Sequence, residues 1–240
     1  MATKPEIYVG TSGWLYDWNP EGTLDWYVSH SGLNAVELNA SFYRFPSVRH
    51  VSSWARRGSA LRWSVKFHKS ISHIYRLNEK AAEIASRFLE RFEPLDRLVD
   101  FYLLQMPPTF ARTRANEERV EKISSRLGLG RRLAIEFRHA SWFSEEGLAV
   151  VERANATVVS VDSPDITWIE MTGDAVYLRM HGRATWYAHD YELREIEELL
   201  RSALSIGPAK LYIFFNNNHW MLKNAREALR LAMLLSSERP

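Results

Sequence analysis

Short runs of apolar, β-branched and aromatic residues recur along the chain. Each run is followed by polar residues and then, in most cases, by a stretch with helical periodicity. Several of these runs are apolar throughout, which is typical of strands that are buried on both faces of a parallel sheet. The eight runs that we interpret as strands are Ile7–Val9, Ala35–Leu38, Arg62–Phe67, Phe101–Leu104, Leu133–Phe137, Thr157–Val161, Ala175–Met180 and Leu211–Phe215.

Helical stretches lie between most of these runs. Two apolar stripes with the spacing of an amphipathic helix begin at Ile196 and Ala225, and a third contains aromatic residues spaced four apart. The pattern also favours helices before Leu33 and over Val48–Arg57. The residues that we predict to open or cap helices at their N-termini are Asn78, Asn116 and Ser144.

Eight strands that alternate with helices predict an α/β fold, and specifically a compact (β/α)8 TIM barrel. A chain of 240 residues is long enough for one large domain, so we assign residues 1–240 to a single barrel domain. The stretch between Asp162 and Ala175 has no helical stripe, which predicts an irregular sixth βα unit. A doubly wound open sheet is the alternative, but GTSGW at 10–14 lacks the glycine spacing of its phosphate loop.

Composition narrows the classes of function. Hydrophobic residues make up 46% and charged residues 25% of the chain, as in an ordinary globular domain. The absence of cysteine excludes disulfides, a cysteine nucleophile and thiolate metal sites. A net charge of only +2 is not a polybasic signature. No signal peptide or membrane-length apolar run is visible, so we expect a cytoplasmic protein without a membrane partner.

Polar residues stand at the end of each predicted strand, where barrel enzymes build their active sites. Four pairs of these residues are two positions apart, and alternation along a strand points both members of a pair to the same side. The pairs are Glu37 with Asn39, Lys66 with His68, Glu136 with Arg138, and Arg179 with His181. We expect them to point into the barrel mouth, either as a ligand site or as a structural network of ion pairs.

Several segments resemble the Domain of Unknown Function 72 family, the YecE-like proteins. The motifs that carry the resemblance are GTSGWLYDW at 10–18, VELNASFYRFPS at 36–47, WSVKFHKSISHIYRL at 63–77, LLQMPPTF at 103–110, AIEFRHASWF at 134–143, VVSVDSP at 158–164, VYLRMHGRATWY at 176–187 and YIFFNNN at 212–218. The resemblance implies a TIM barrel with these motifs gathered at one end, and it implies no established reaction. The segment after GTSGW departs from the family's usual pattern.

Clustered Lys and Arg suit a phosphate or carboxylate ligand, and carboxylate and imidazole groups can supply acid–base catalysis. The leading hypothesis is therefore a hydrolase acting on a phosphoester or another anionic substrate, either a small molecule or a nucleic acid. The catalytic candidates are Lys66, Glu136, Asp162, Arg179 and His181. The substrate-binding candidates are Ser12, Trp14, Glu37, Asn39, Tyr43, Arg44, His68, Gln105, Arg138, Arg183 and Asn216.

We predict no bound metal, and a divalent cation is kept as the alternative cofactor. Its ligands would be His68, Glu136, Asp162 and His181. That distribution is similar to the xylose-isomerase-like and apurinic-endonuclease-like barrels, although this is an analogy between folds alone. Gln105 and Asn216 stand where those barrels place a histidine and a carboxylate, and the neighbouring cations repel a metal.

Two further classes of function stay open. The tryptophans near the strand ends would suit a carbohydrate-active enzyme, either a glycosidase or a sugar isomerase, but Gln105 and His181 occupy positions where common barrel glycosidases place carboxylates. Aromatic residues interleaved with cations, as in FYRF at 42–45, would suit a non-catalytic protein that binds single-stranded nucleic acid. The oligomeric state is left open.

Overall fold

The computed structural model describes residues 4–237 and has an α/β architecture in which eight parallel strands form a nearly closed barrel with helices. These eight strands and one short additional strand, β7, are in chain order β1 (Glu6–Thr11), β2 (Ala35–Leu38), β3 (Arg62–Lys66), β4 (Val99–Gln105), β5 (Leu133–Glu136), β6 (Thr157–Asp162), β7 (Thr167–Trp168), β8 (Ala175–Met180) and β9 (Lys210–Phe215). Their order in the sheet is β1-β9-β8-β6-β5-β4-β3-β2, with β7 paired to β6 outside this path. The TIM-barrel prediction is confirmed, as are all eight predicted strands.

Helices follow most of the strands. They are α1 (Leu24–His30), α2 (Val48–Arg57), α3 (Glu79–Phe92), α4 (Arg114–Leu127), α5 (Glu145–Arg153), α6 (Leu193–Ser205) and α7 (Met221–Ser237). No helix among the described residues is long and apolar enough to cross a membrane.

The side chains of Asn78 and Ser144 cap α3 and α5 as predicted, each by accepting a hydrogen bond from a backbone N–H of the first turn. The prediction that Asn116 caps α4 is wrong. The helix begins three residues earlier, and the Thr113 hydroxyl accepts from the backbone N–H of Asn116. Threonine and asparagine are both good N-caps, so the sequence did not separate the two positions.

The sixth βα unit contains no helix among its described residues, as predicted. After β6 the chain makes a turn in which the hydroxyl of Ser163 accepts a hydrogen bond from the backbone N–H of Ile166. It then returns as the short strand β7, antiparallel to β6, with Asp162 opposite Thr167. The hairpin thereby places a hydroxyl beside the last residue of β6.

The chain divides into two compact units. Unit 1 comprises the residues up to Glu37, Arg57–Arg62 and the residues from Val159 onward. Its parallel strands β1, β9 and β8 are in register, with Tyr8 opposite Tyr212 and Tyr212 opposite Tyr177. The apolar stripe of α6 and much of one face of α7 are buried, which gives this unit its own core.

Unit 2 comprises Leu38–Arg56 and Trp63–Val158. Its strands β3, β4 and β5 pair in parallel. Its core is rich in aromatic rings: Phe67, Phe88 and Phe92 are fully or almost fully buried, and the Phe88 and Phe92 rings stack with their centroids 4.6 Å apart.

One glycine of unit 1 marks a close approach between backbones. A Cβ atom on Gly10, in β1, would lie 2.4 Å from the carbonyl oxygen of Ala35, in β2. Real Cβ contacts are not that short, so any side chain at this position would push the two strands apart.

We expect Gly10→Ala to lower the free energy of unfolding by about 3 kcal/mol, because two backbones must shift to admit the methyl group. Gly32→Ala is the control: Gly32 also lies in unit 1, its φ is +72°, and no described atom would lie within 4 Å of the added Cβ. That variant should lose only about 1–2 kcal/mol, from backbone strain. Urea unfolding followed by circular dichroism measures both, and equal losses would contradict the close approach.

Candidate functional site

A buried ion pair joins the ends of two strands in unit 1. Glu37, from β2, and Arg179, from β8, have side chains that are both 0% exposed. The guanidinium is bidentate: Nη2 donates to Glu37 Oε1 at 2.6 Å and Nε donates to Oε2 at 2.9 Å. The hydroxyls of Ser12 and Tyr177 donate to the same carboxylate at 2.6 and 2.7 Å.

Four donors therefore meet the Glu37 carboxylate, and a buried charge is stable only when it is paired and hydrogen-bonded in this way. Ser12, Glu37 and Arg179 are all candidates from the sequence, and the structure brings them together as one network. Tyr177 completes it and is a residue that the sequence analysis missed. Its hydroxyl was concealed because Tyr177 stands inside an apolar strand.

A second buried carboxylate in unit 1 lies at the end of β6. Asp162 is 0% exposed and accepts from Thr167 Oγ1 at 2.6 Å, from Tyr191 Oη at 2.6 Å and from Arg183 Nε at 3.3 Å. The Tyr191 hydroxyl also accepts the backbone N–H of Gly182 at 2.8 Å. Burial and the negative charge of Asp162 raise the pKa of Tyr191 far above its ordinary range.

The predicted residues His181 and Asn216 also meet in unit 1. Asn216 Nδ2 lies 3.2 Å from His181 Nδ1, and both side chains are buried. The imidazole ring packs against Trp186 and Tyr187, with ring centroids 5.6 and 5.9 Å away. Gly182 has a φ of +107°, and a Cβ there would lie 2.4 Å from the Thr185 carbonyl oxygen, so this turn depends on glycine.

In unit 2, a third buried carboxylate sits among polar groups at the end of β5. Glu136 is 0% exposed and lies 2.5 Å from Arg138 Nε, whose side chain is 11% exposed. The atom that meets Arg138 is Glu136 Oε1. Gln105, in β4, donates from Nε2 to this same atom at 3.1 Å. Since Gln105 and Glu136 are direct neighbours in the parallel register, the sheet itself sets this contact.

Lys66, at the end of β3, is 7% exposed. Its Nζ atom lies 4.4 Å from the centroid of the Phe42 ring, a cation–π geometry. The edge-to-face neighbour of that same ring is His73, with centroids 5.0 Å apart. Burial and the positive charges of Lys66, Arg138 and Arg76 lower the pKa of His73. His73 and Arg76 are further residues that the sequence analysis missed.

The remaining candidates of unit 2 line the loops after β2 and β3. His68 is half-buried, its Nδ1 lies 2.7 Å from Ser70 Oγ, and its ring packs on Phe45. Burial lowers the pKa of His68, and a hydrogen bond with the Tyr43 backbone partly offsets this shift. Tyr43 is 67% exposed, and Arg44 beside it is also exposed.

The last two candidates are Asn39 and Trp14. Asn39 is half-buried, and its Oδ1 atom is buried with no hydrogen-bond partner within residues 4–237. Trp14, in unit 1, is 7% exposed and therefore offers little surface to a ligand.

The four conditional metal ligands are not assembled as a metal centre. Among the described residues, no group of three Asp, Glu or His side chains is placed to hold a metal ion. The carboxylates of Glu136 and Asp162 are met instead by arginine, amide and hydroxyl donors, and the alternative of His68, Glu136, Asp162 and His181 as ligands has no support in this geometry.

Parallel strands that carry buried carboxylates and cations at their C-terminal ends define the class of protein: a TIM barrel with polar strand ends. The chain belongs to the family described as "Protein of unknown function DUF72", whose model matches residues 8–240. The sequence resemblance to this family is thereby confirmed.

The chain is similar to a curated protein in sequence and to a solved protein in structure. The chain is 32% identical to the protein YecE of Escherichia coli strain K12 over 108 residues, which are 43% of this chain and 39% of YecE. The chain therefore spans about two fifths of the length of the curated relative that it matches. A DUF72 family protein of Thermotoga maritima MSB8, solved by crystallography, has a TM-score of 0.80 at 29% identity and covers 96% of this chain and 99% of its own.

A more distant likeness concerns the fold alone. A xylose isomerase domain-containing protein of Salmonella typhimurium LT2 matches with a TM-score of 0.63 at 11% identity, and the match covers 99% of both chains. This likeness shows a shared fold and carries no conclusion about substrate.

We expect Arg179→Met to lower the free energy of unfolding by about 3–5 kcal/mol, because it leaves the Glu37 carboxylate buried without its cation. The matched control is Arg153→Met, which breaks an exposed ion pair with Glu121 whose atoms lie 2.9 Å apart and should cost less than about 1 kcal/mol. Urea unfolding compares the two. A loss at Arg179 no larger than the control's would contradict the buried network.

We expect Tyr191→Phe to lower the free energy of unfolding by about 1–3 kcal/mol at pH 7, because Asp162 loses a buried hydrogen-bond donor. The pKa of Tyr191 is raised in the folded protein, so its contribution is complete below the unfolded value of about 10 and declines as pH rises above it. Urea unfolding at pH 7 and at pH 10.5 measures the free energy of unfolding of both proteins. The difference between variant and wild type should be smaller at the higher pH. A difference that widens would refute the assignment.

Proposed function

We propose that the chain binds a phosphate-bearing substrate through the cations of unit 2 and hydrolyses its phosphoester bond. The observation that carries the proposal is that the Lys66 ammonium and the His73 imidazole are held against the same Phe42 ring, with further cations acting on that imidazole. Lys66 ends β3, Arg76 follows the next turn, Arg138 follows β5, and the positive charge of each acts on the same imidazole, His73. A site where positive charges converge suits an anion.

The distribution of charge along the chain supports an anionic ligand. From Asn39 to Asn78 there are eight Lys and Arg residues and no Asp or Glu, whereas the rest of the chain has 23 Lys and Arg against 29 Asp and Glu. The net charge of +2 therefore conceals a basic segment within an otherwise acidic chain. This segment contains Lys66, at the end of β3, and the loops after β2 and β3, which include Arg44 and His68.

Lys66 and Arg138 are the proposed phosphate-binding residues, since guanidinium and ammonium groups both make charge-assisted hydrogen bonds to phosphate oxygens. Glu136, held by Arg138 and Gln105, is the proposed general base that takes a proton from the attacking water. We propose that positive charge beside it stabilises the charge that develops on the phosphoryl oxygens.

The candidates of unit 1 take different proposed roles. Arg179 and Glu37 are fully buried and satisfy each other, so we assign them, with Ser12, to positioning the strand ends. Asp162 accepts three hydrogen bonds, from Thr167, Arg183 and Tyr191. We propose that it orients the side chains that donate to it, and the proton-shuttle role of His181 stays a prediction from the sequence.

The test is binding of inorganic phosphate by calorimetry, together with hydrolysis of p-nitrophenyl phosphate and bis(p-nitrophenyl) phosphate. Loss of a charged hydrogen bond corresponds to roughly 10-fold to 100-fold weaker binding, which we expect for Lys66→Ala and Arg138→Ala. Arg114→Ala is the control, because that side chain lies in unit 2 and is 93% exposed.

Glu136→Gln separates binding from catalysis. Loss of a general base lowers the rate by roughly 100-fold to 10,000-fold, while phosphate should still bind. Wild-type protein that binds no phosphate would refute the proposed ligand. Binding without hydrolysis of either ester would refute the proposed reaction and leave a binding protein, including one for single-stranded nucleic acid. Full activity in Glu136→Gln would refute Glu136 as the general base.

A further inference from the structure

We propose that His73 is a further member of the anion site and takes up one proton as a dianionic group binds, so that the site prefers a phosphomonoester to a phosphodiester. This inference rests on the proposed function, because it assumes that an anion binds beside Lys66 and Arg138. It adds a residue, a protonation step and a choice between two classes of phosphoester.

The backbone fixes His73 in an unusual local structure. It lies in a single π-helical turn, Ser70–Ile74, directly after β3. Two non-glycine residues with positive φ, Arg76 at +43° and Leu77 at +60°, follow the turn. Consecutive left-handed residues are costly, and burial of Leu77 and its backbone hydrogen bond to Ile71 hold them in place. Such turns and such strain occur frequently at functional sites.

Lys66 and His73 are positioned by the same aromatic ring. Phe42 lies in the short turn after β2, with the Lys66 ammonium over its face and the His73 ring against it edge-to-face. The Nδ1 atom of His73 lies 2.8 Å from Ser72 Oγ, which fixes the rotation of the imidazole. The cation and the imidazole are thus both held against one aromatic ring before any ligand arrives.

The charged groups that act on His73 come from three segments, and all are positive. They are Lys66, Arg138 and Arg76. One of these cations, Arg138, is paired with the Glu136 carboxylate at 2.5 Å. Positive surroundings and partial burial favour the neutral imidazole, so the pKa of His73 is lowered in the protein without a ligand.

A bound dianion reverses this balance. Its negative charge offsets the cations and favours the imidazolium, so the pKa of His73 rises on binding. At a pH between the free and the bound value, binding therefore takes up a proton from solvent, and affinity increases as pH falls through this range. Below the pKa that His73 has in the ligand-free protein, the imidazole is already protonated, and affinity no longer depends on pH through this group. A phosphodiester carries one negative charge and has a weaker effect on the imidazole than a monoester with two.

Sulfate is the probe, because it stays dianionic between about pH 5 and pH 8, so that only protein groups titrate. Calorimetry at pH 6.5 in two buffers of different ionisation enthalpy measures the protons taken up. We expect uptake of about half a proton, the largest value that a pKa shift of one unit allows, and roughly tenfold tighter binding at pH 5.5 than at pH 8, since one unit of pKa shift corresponds to tenfold. Methyl sulfate, a monoanion, should bind more weakly, and its binding should be accompanied by a smaller uptake of protons.

His73→Gln should bind sulfate with little pH dependence and no proton uptake. The control is His50→Gln, because His50 is an exposed histidine of unit 2 that stacks on Trp54; it should behave as wild type. Histidine resonances of the wild-type protein, titrated by NMR with and without sulfate, test the same shift without any substitution.

The outcomes separate this inference from the proposed function. If wild type binds neither sulfate nor phosphate, the proposed function fails and the inference fails with it. If wild type binds sulfate without taking up a proton, or if His73→Gln keeps the pH dependence, the proposed function stands and only the role of His73 is refuted.

Discussion

A charge that is taken out of water must be met by donors or by an opposite charge, and this constraint organises the strand ends of the protein. Glu37 shows it most fully, because a bidentate guanidinium and two hydroxyls converge on one carboxylate that has no exposure at all. The donors come from β8 and from the end of β1, so the carboxylate connects three stretches of unit 1. Loss of any one partner would leave the others buried and unsatisfied.

The same constraint has a different solution in unit 2. Glu136 is met by Arg138 and Gln105, but Lys66, at the end of β3, and Arg76, in the loop that follows, bring two further positive charges to the His73 imidazole. Several cations around one imidazole offer an anion more than one charged donor. A network built only for stability would resemble the Glu37 cluster, which is why we place the proposed ligand in unit 2 and the structural role in unit 1.

The i, i+2 spacing at the strand ends was informative because alternation in a strand is a strong geometric rule. It identified Glu37, Glu136 and Arg179 as polar residues at strand ends, and all three are buried there. It did not identify Tyr177, Tyr191 or His73. Two of these lie in a loop or a turn, where no period applies, and Tyr177 belongs to a strand whose apolar neighbours conceal its hydroxyl.

The sequence by itself determined the barrel: the eight strands, most of the helices and the missing helix after β6 all follow from local periodicity and turn chemistry, which act over a few residues. Only the tertiary structure decided which charges meet. The pairing of Glu37 with Arg179, 142 positions apart, depends on the order of strands in the sheet, and the site of His73 depends on the Phe42 ring from another loop. The reason is physical: burial and electrostatic energies depend on distance in space, whereas the sequence pattern reports only distance along the chain.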